Sequence, residues 1–134
     1  MDTKINLSLN KFEELLRKCN NHTIALDTET TGLYWWSDRL ISVGFYCEDL
    51  KISGCIDFRD NPELQSIVRK IVKSSLGSGT IVIMHNAKFD LHFLQADPWE
   101  TKWKIIDTTV LIHLLDSRYH KSMEKAEKLL LGEN

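Results

Sequence analysis

Three apolar segments early in the chain, roughly Thr23 to Glu29, Leu40 to Tyr46 and Lys51 to Asp57, are joined by connections too short for a parallel crossover. They are therefore expected to pair as antiparallel neighbours, with "CEDL" as the turn between the last two. After Asp57 the pattern changes. "NPELQSIVRKIVKSSLGSG" reads as a helix: Asn61 can cap it, Pro62 suits the first helical position, and Leu64, Ile67, Val68, Ile71 and Val72 form one stripe. The wholly apolar "TIVIM", Thr80 to Met84, follows as a strand, and Asn86 opens a helix through about Gln95. "KIIDTTVLIHLLDS" adds a short strand ending at Ile106, with Asp107 placed to cap a helix through Leu115. The sum predicts an α/β fold, a mixed sheet of three antiparallel strands followed by parallel crossovers, with flanking helices.

Two further helices complete the prediction. Asn10 followed by Glu13 resembles a capping box ahead of Phe12, Leu15 and Leu16, which suggests a helix over about Lys11 to Cys19. Near the other end an amphipathic helix is expected over Lys121 to Leu131, stopped by Gly132. The 134 residues suit one domain, 1–134, and show no repeat or linker. No apolar run approaches the roughly 18 residues a membrane span needs, and "MDTKINLSLN" lacks a signal-peptide pattern. No membrane association and a cytoplasmic location are expected.

The net charge of -2 argues against a broad surface that tracks duplex phosphates, while leaving room for a short strand held by metal ions. Cys19, Cys47 and Cys55 form no Cys-x-x-Cys pair and read as free thiols. The five histidines, His22, His85, His92, His113 and His120, show no zinc spacing and read as packed or exposed.

Two acidic stretches carry the chemistry. In "TIALDTETTGLYWW" the carboxylates Asp27 and Glu29 stand two apart on a strand, so they share a face about 7 Å apart. A divalent cation such as Mg²⁺ or Mn²⁺ would relieve their repulsion through hard oxygen ligands; a strand simply emerging into solvent explains them equally well. In "HNAKFDLHFL", Asn86 and Asp90 stand four apart at the end of a strand, where open α/β sheets collect ligands. Their alternative is an Asn cap with a surface Asp.

Together, "ALDTETTGL" and "HNAKFDLHFL" resemble the first and second motifs of the DnaQ-like, or DEDD, 3'-5' exonucleases. "IIDTTVLIHLLDS" and "RYHKSMEKAEKLLLG" are similar to the helix pair that follows in the proofreading domains of family A DNA polymerases. The resemblance implies an RNase H-like fold and two-metal hydrolysis of single-stranded 3'-ends, DNA ahead of RNA, with a polymerase domain or subunit as a partner. It implies Asp27, Glu29 and Asp90 as the catalytic metal ligands for Mg²⁺ or Mn²⁺. It also implies substrate contacts from Thr28, Thr30, Leu33, Asn86 and Phe89. Tyr34, Trp35 and Trp36 are candidate stacking platforms, with core or lid packing as the alternative. Asp107 matches a family Asp but needs no role beyond capping its helix.

The same resemblance implies a fourth acid, from a third motif in which Tyr or His precedes an Asp by four or five residues. Counting from Tyr119 the fourth residue is Met123, and from His120 the fifth is Lys125; neither is acidic. Asp116 lies nine residues from Asp107, half a turn round the same helix, and does not supply it. The domain is thus expected to end before that motif. The competing expectation is a catalytically incomplete module that binds nucleic acid ends or a partner protein without cutting. Arg118, Lys121, Lys125 and Lys128 could meet phosphate or form a solvated helix face.

Overall fold

The computed structural model describes residues 6–97 and 100–115. Alternating burial along the first strand, β1 (Thr23–Thr30), sets the layering: Ile24 and Leu26 are buried, whereas Ala25, Asp27 and Glu29 are exposed. β1 pairs antiparallel with β2 (Leu40–Cys47), which pairs antiparallel with β3 (Ile52–Asp57). On its other side β1 runs parallel to β4 (Ile81–Met84), and β4 parallel to β5 (Lys104–Asp107). The spatial order is β3-β2-β1-β4-β5, the expected RNase H-like arrangement of three antiparallel strands and two parallel ones.

Four helices are among the described elements: α1 (Leu9–Lys18), α2 (Gln65–Ser75), α3 (Ala87–Leu94) and α4 (Thr108–Leu115). Phe12 and Leu16 of α1, Val68 and Val72 of α2 and Phe93 and Leu94 of α3 join one core with Ile24, Leu26, Val43, Phe45, Val82 and Met84 of the sheet. Each such side chain contributes about 1.5–3 kcal/mol by leaving water, so this face of the sheet holds the fold together. The three cysteines are free thiols, and burial beside Cys47 pushes Cys19 up to about 12.

Local details depart from expectation in three places. Ser8, not Asn10, caps α1, because its hydroxyl reaches the Lys11 amide at 3.2 Å while Asn10 already lies inside the helix. Pro62–Leu64 forms a 3₁₀ turn ahead of α2, and Asn61 makes no side-chain cap. The buried stripe of α2 is Val68, Ile71, Val72 and Ser75; Ile67 lies about 90° from its centre and is 47% exposed. The helix expected over Lys121 to Leu131, with its basic stripe, lies outside the described residues. No helix among the described residues is long and apolar enough to cross a membrane.

Candidate active site

β1 carries its polar residues to the end of the sheet where α3 begins. Asp27 and Glu29 point to the exposed face, and among the described residues Asp27 accepts only a local bond, from the Thr28 amide at 3.0 Å. They border a shallow basin of about 530 Å³ that Ala25, Gly44, Tyr46, Cys55 and Ile83 also line. Glu29 sits opposite Ser42, which sits opposite Asp57, so the three form one row across β1, β2 and β3. Arg59 spans that row: its guanidinium lies 2.8 Å from Asp57 and 3.6 Å from Glu29. Donation by Arg59 holds the Asp57 carboxyl below the usual range. Asp57 and Arg59 escape a reading of the sequence because only strand register brings them to Glu29.

Asp90 behaves differently. It is 4% exposed, and its carboxylate accepts from the Thr28 hydroxyl at 2.5 Å. Burial pushes it up to about 7; the Thr28 bond opposes the rise, and the charges of Asp27 and Asp107 add to it. Asp27 and Asp90 therefore share one electrostatic neighbourhood, although Thr28 turns Asp90 aside. No Lys or Arg forms an ion pair with Asp27 or Asp90 among the described residues. The donor set, hard oxygens carrying uncompensated negative charge, suits Mg²⁺ or Mn²⁺. As placed, no three His, Cys, Asp or Glu side chains among the described residues stand close enough to hold an ion.

Asn86 adopts a left-handed conformation, φ 61° and ψ 62°, and makes no side-chain cap. Asp107 does the capping instead. Its carboxylate accepts from the amides of Asn86 at 3.1 Å and Ala87 at 2.8 Å, and from Thr109 at 2.9 Å, so one side chain starts both α3 and α4. Freed from that duty, Asn86 lines a cavity of about 290 Å³ with Leu33, Trp35, Phe89, His92 and Phe93, beside Lys88. Three of the expected substrate residues, Leu33, Asn86 and Phe89, thus converge. Thr28 and Thr30 do not join them: Thr28 holds Asp90, and the Thr30 hydroxyl donates to the Gly32 carbonyl at 2.6 Å.

The aromatic loop after β1 is an ordered platform. Trp35 stacks on His92 with ring centroids 5.0 Å apart and planes 9° from parallel, while Trp36 packs against both Trp35 and Tyr34. None of the three enters the core, and all are about half exposed or more. Asp38 fixes the loop by accepting from the Thr31 hydroxyl and the Tyr34 amide, against a Gly32 where a Cβ would overlap its carboxylate. Asp38 is the residue that sequence reading passed over here, and His92, expected as packed or exposed, packs on Trp35; four-residue spacing from Lys88 on α3 is the signal that places it on the cavity side. The count towards a third motif likewise passes over Glu124, five residues after Tyr119 and four after His120, which lies outside the described residues.

The 3'-5' exonuclease family model DNA_pol_A_exo1 matches residues 4–130 of this sequence. The chain belongs to that family. Its fold agrees with solved DEDD exonucleases. A Brucella melitensis NrnC bound to pGG is 22% identical, with a TM-score of 0.63 over 85% of this chain and 56% of that one. The same nuclease with bound Mg²⁺ is 20% identical, TM-score 0.61, over 85% of this chain and 57% of that one. Escherichia coli RNase D, an exoribonuclease involved in structured RNA processing, is 18% identical, TM-score 0.61, over 87% of this chain and 30% of that one. The chain spans little more than half the length of the NrnC structures. Among curated proteins no sequence relative matches.

Proposed function

We propose that this exonuclease-family domain hydrolyses phosphodiester bonds at single-stranded nucleic acid 3'-ends, one nucleotide at a time, with Mg²⁺ or Mn²⁺. DNA is the proposed substrate, in a proofreading or replication setting beside a polymerase domain or subunit in the cytoplasm. The observation that carries this reading is proximity across α3: Asp90, which bonds Thr28 of β1 and feels the Asp27 charge, lies on the helix whose Phe89, with Asn86 just ahead of it, lines the cavity with Leu33.

In this reading Leu33 and Phe89 pack on the terminal base, the Asn86 amide orients its sugar-phosphate, and the Trp35 face accepts a neighbouring base. Thr28 and Thr30 would add backbone contacts to the strand end. Asp27, Glu29 and Asp90 would hold the divalent ions, which when bound supply an ionised water and charge stabilisation of the leaving 3'-oxygen. To hold an ion with them Asp90 would have to release its Thr28 bond and be ionised.

The test is a 5'-labelled single strand, as DNA and as RNA, incubated with Mg²⁺ or Mn²⁺ beside Asp27→Ala. Stepwise shortening from the 3'-end that vanishes in the variant is the expected result. A second reading, a module that binds strand ends without cutting, draws on the lack of a ready three-acid cage among the described residues. Metal-dependent binding with no shortening would establish that reading and sink the enzyme. Faster shortening of RNA would replace DNA as the substrate.

A further inference from the structure

α2 presents two stripes, and the core explains only one. Val68, Ile71, Val72 and Ser75 are buried, whereas Ser66, Arg69, Lys70, Lys73 and Ser74 recur at i, i+3, i+4, i+7 and i+8 along a neighbouring face. With Gln95 these five line a groove of about 410 Å³ that holds no carboxylate among the described residues. The sequence is biased in the same way. Between Glu63 and Asp90 it holds Arg69, Lys70, Lys73 and Lys88 and no acid, in a chain whose net charge is -2.

Fold stability accounts for part of this charge. Arg69 Nε donates to the Phe93 carbonyl at 2.7 Å and Lys73 Nζ to the Gln95 carbonyl at 3.2 Å, which satisfies the C-terminal end of α3. A guanidinium offers five donors and an ammonium three, so most remain. Lys70 makes no hydrogen bond or ion pair with the described residues, and Arg69 and Lys73 are like charges one turn apart, an arrangement that weakens a helix. Three cations converging on a groove without a counter-charge suit an anionic ligand.

Resting on the exonuclease reading above, we propose that this groove holds the phosphodiester backbone of the substrate strand upstream of its 3'-end. α3 is the wall that the two sites share. Phe93, whose carbonyl receives Arg69, also lines the cavity with Leu33, Trp35, Phe89 and His92. From Phe89 to Gln95 the helix advances about 9 Å. At about 3.4 Å per stacked nucleotide, that is roughly three nucleotides. Beyond Lys73 and Gln95 the groove adjoins a depression of mixed charge, in which Arg17 and Lys102 stand beside Asp97 and Glu100. A dinucleotide therefore occupies only the 3'-end cavity, and a longer strand reaches the cations.

The test compares a dinucleotide with a dodecanucleotide, both 5'-fluorescent and phosphorothioate-linked to resist cleavage, by anisotropy with Mg²⁺ over a salt series. The dodecamer is expected to bind at least tenfold tighter. Lys70→Glu should remove several-fold of that advantage and lower the slope of log affinity against log salt by about 0.7, the value for one single-strand phosphate contact. Lys70→Glu/Lys73→Glu should roughly double that change. Dinucleotide affinity and melting temperature should stay unchanged in Lys70→Glu; a merely structural lysine would move the melting temperature instead. DNA and RNA should respond alike, since the contact is to phosphate. A dodecamer no tighter than the dinucleotide, or one indifferent to Lys70→Glu, overturns the groove while leaving the 3'-end reading intact. A dodecamer weakened by Lys70→Glu, with no dinucleotide binding at all, sustains the groove and removes the 3'-end cavity.

Discussion

Asp27 and Asp90 are the same chemical group in opposite surroundings. Asp27 stands on the exposed face of β1 with one local hydrogen bond among the described residues, and Asp90 is buried between α3 and β1 against Thr28, raised to about 7. The difference separates two costs of gathering acids at one site. An exposed carboxylate costs little in stability and is free to bind a cation, whereas a buried one destabilises the fold until its proton or a cation neutralises it.

Removing the exposed member should break function and spare the fold. Asp27→Ala is expected to lower 3'-end cleavage by roughly 10³-fold, the scale of losing several kcal/mol of metal-borne charge stabilisation, with a melting temperature within a few degrees of wild type. Single-turnover kinetics beside a thermal melt checks both halves. The packed face of the same strand should show the converse. Leu26→Ala is expected to cost about 2–5 kcal/mol in urea unfolding, and Ala25→Leu on the exposed face about 0.5 kcal/mol or less.

The buried member should reveal itself through pH. The folded Asp90 binds its proton more tightly than the unfolded chain does, so its contribution to stability is full below about pH 4 and lost as pH rises through about 7. Metal-free protein should therefore melt several degrees lower at pH 8 than at pH 5.5, and Asp90→Asn should flatten that dependence while abolishing cleavage. An unchanged pH dependence in Asp90→Asn would place the titration elsewhere. The smallest effect is expected at Arg59. Its contact with Glu29 is solvent-exposed and screened, so Arg59→Ala should leave stability nearly unchanged and tighten Mg²⁺ or Mn²⁺ binding a few-fold by calorimetry.

The order of strands and helices was legible because each rests on short-range signals. Apolar runs mark β1, β2 and β4, Pro62 opens the turn into α2, and brief connections force the antiparallel pairs. Asp27, Glu29 and Asp90, and three residues that line one cavity, Leu33, Asn86 and Phe89, stood out in the sequence as parts of two motifs. What the sequence hid is set by tertiary neighbours. Ser8 takes the cap of α1 because backbone geometry puts it at the right distance, and Arg59 reaches Glu29 only through the register of three strands. The inward turn of Asp90 depends on the Thr28 side chain, whereas the family resemblance implies Thr28 only as a substrate contact. Trp35 meets His92 because Asp38 ties down the loop between them.

Asp107 gives these pieces a common datum. By accepting from the first amides of two helices, its carboxylate ties the main chain of Asn86 to the ends of β4 and β5. The scaffold around the cavity is consequently indifferent to which side chains decorate it. Leu33, Trp35, Lys88 and His92 form an exchangeable lining, through which a descendant sequence could retune the shape and charge of the cavity while the carboxylates keep their stations.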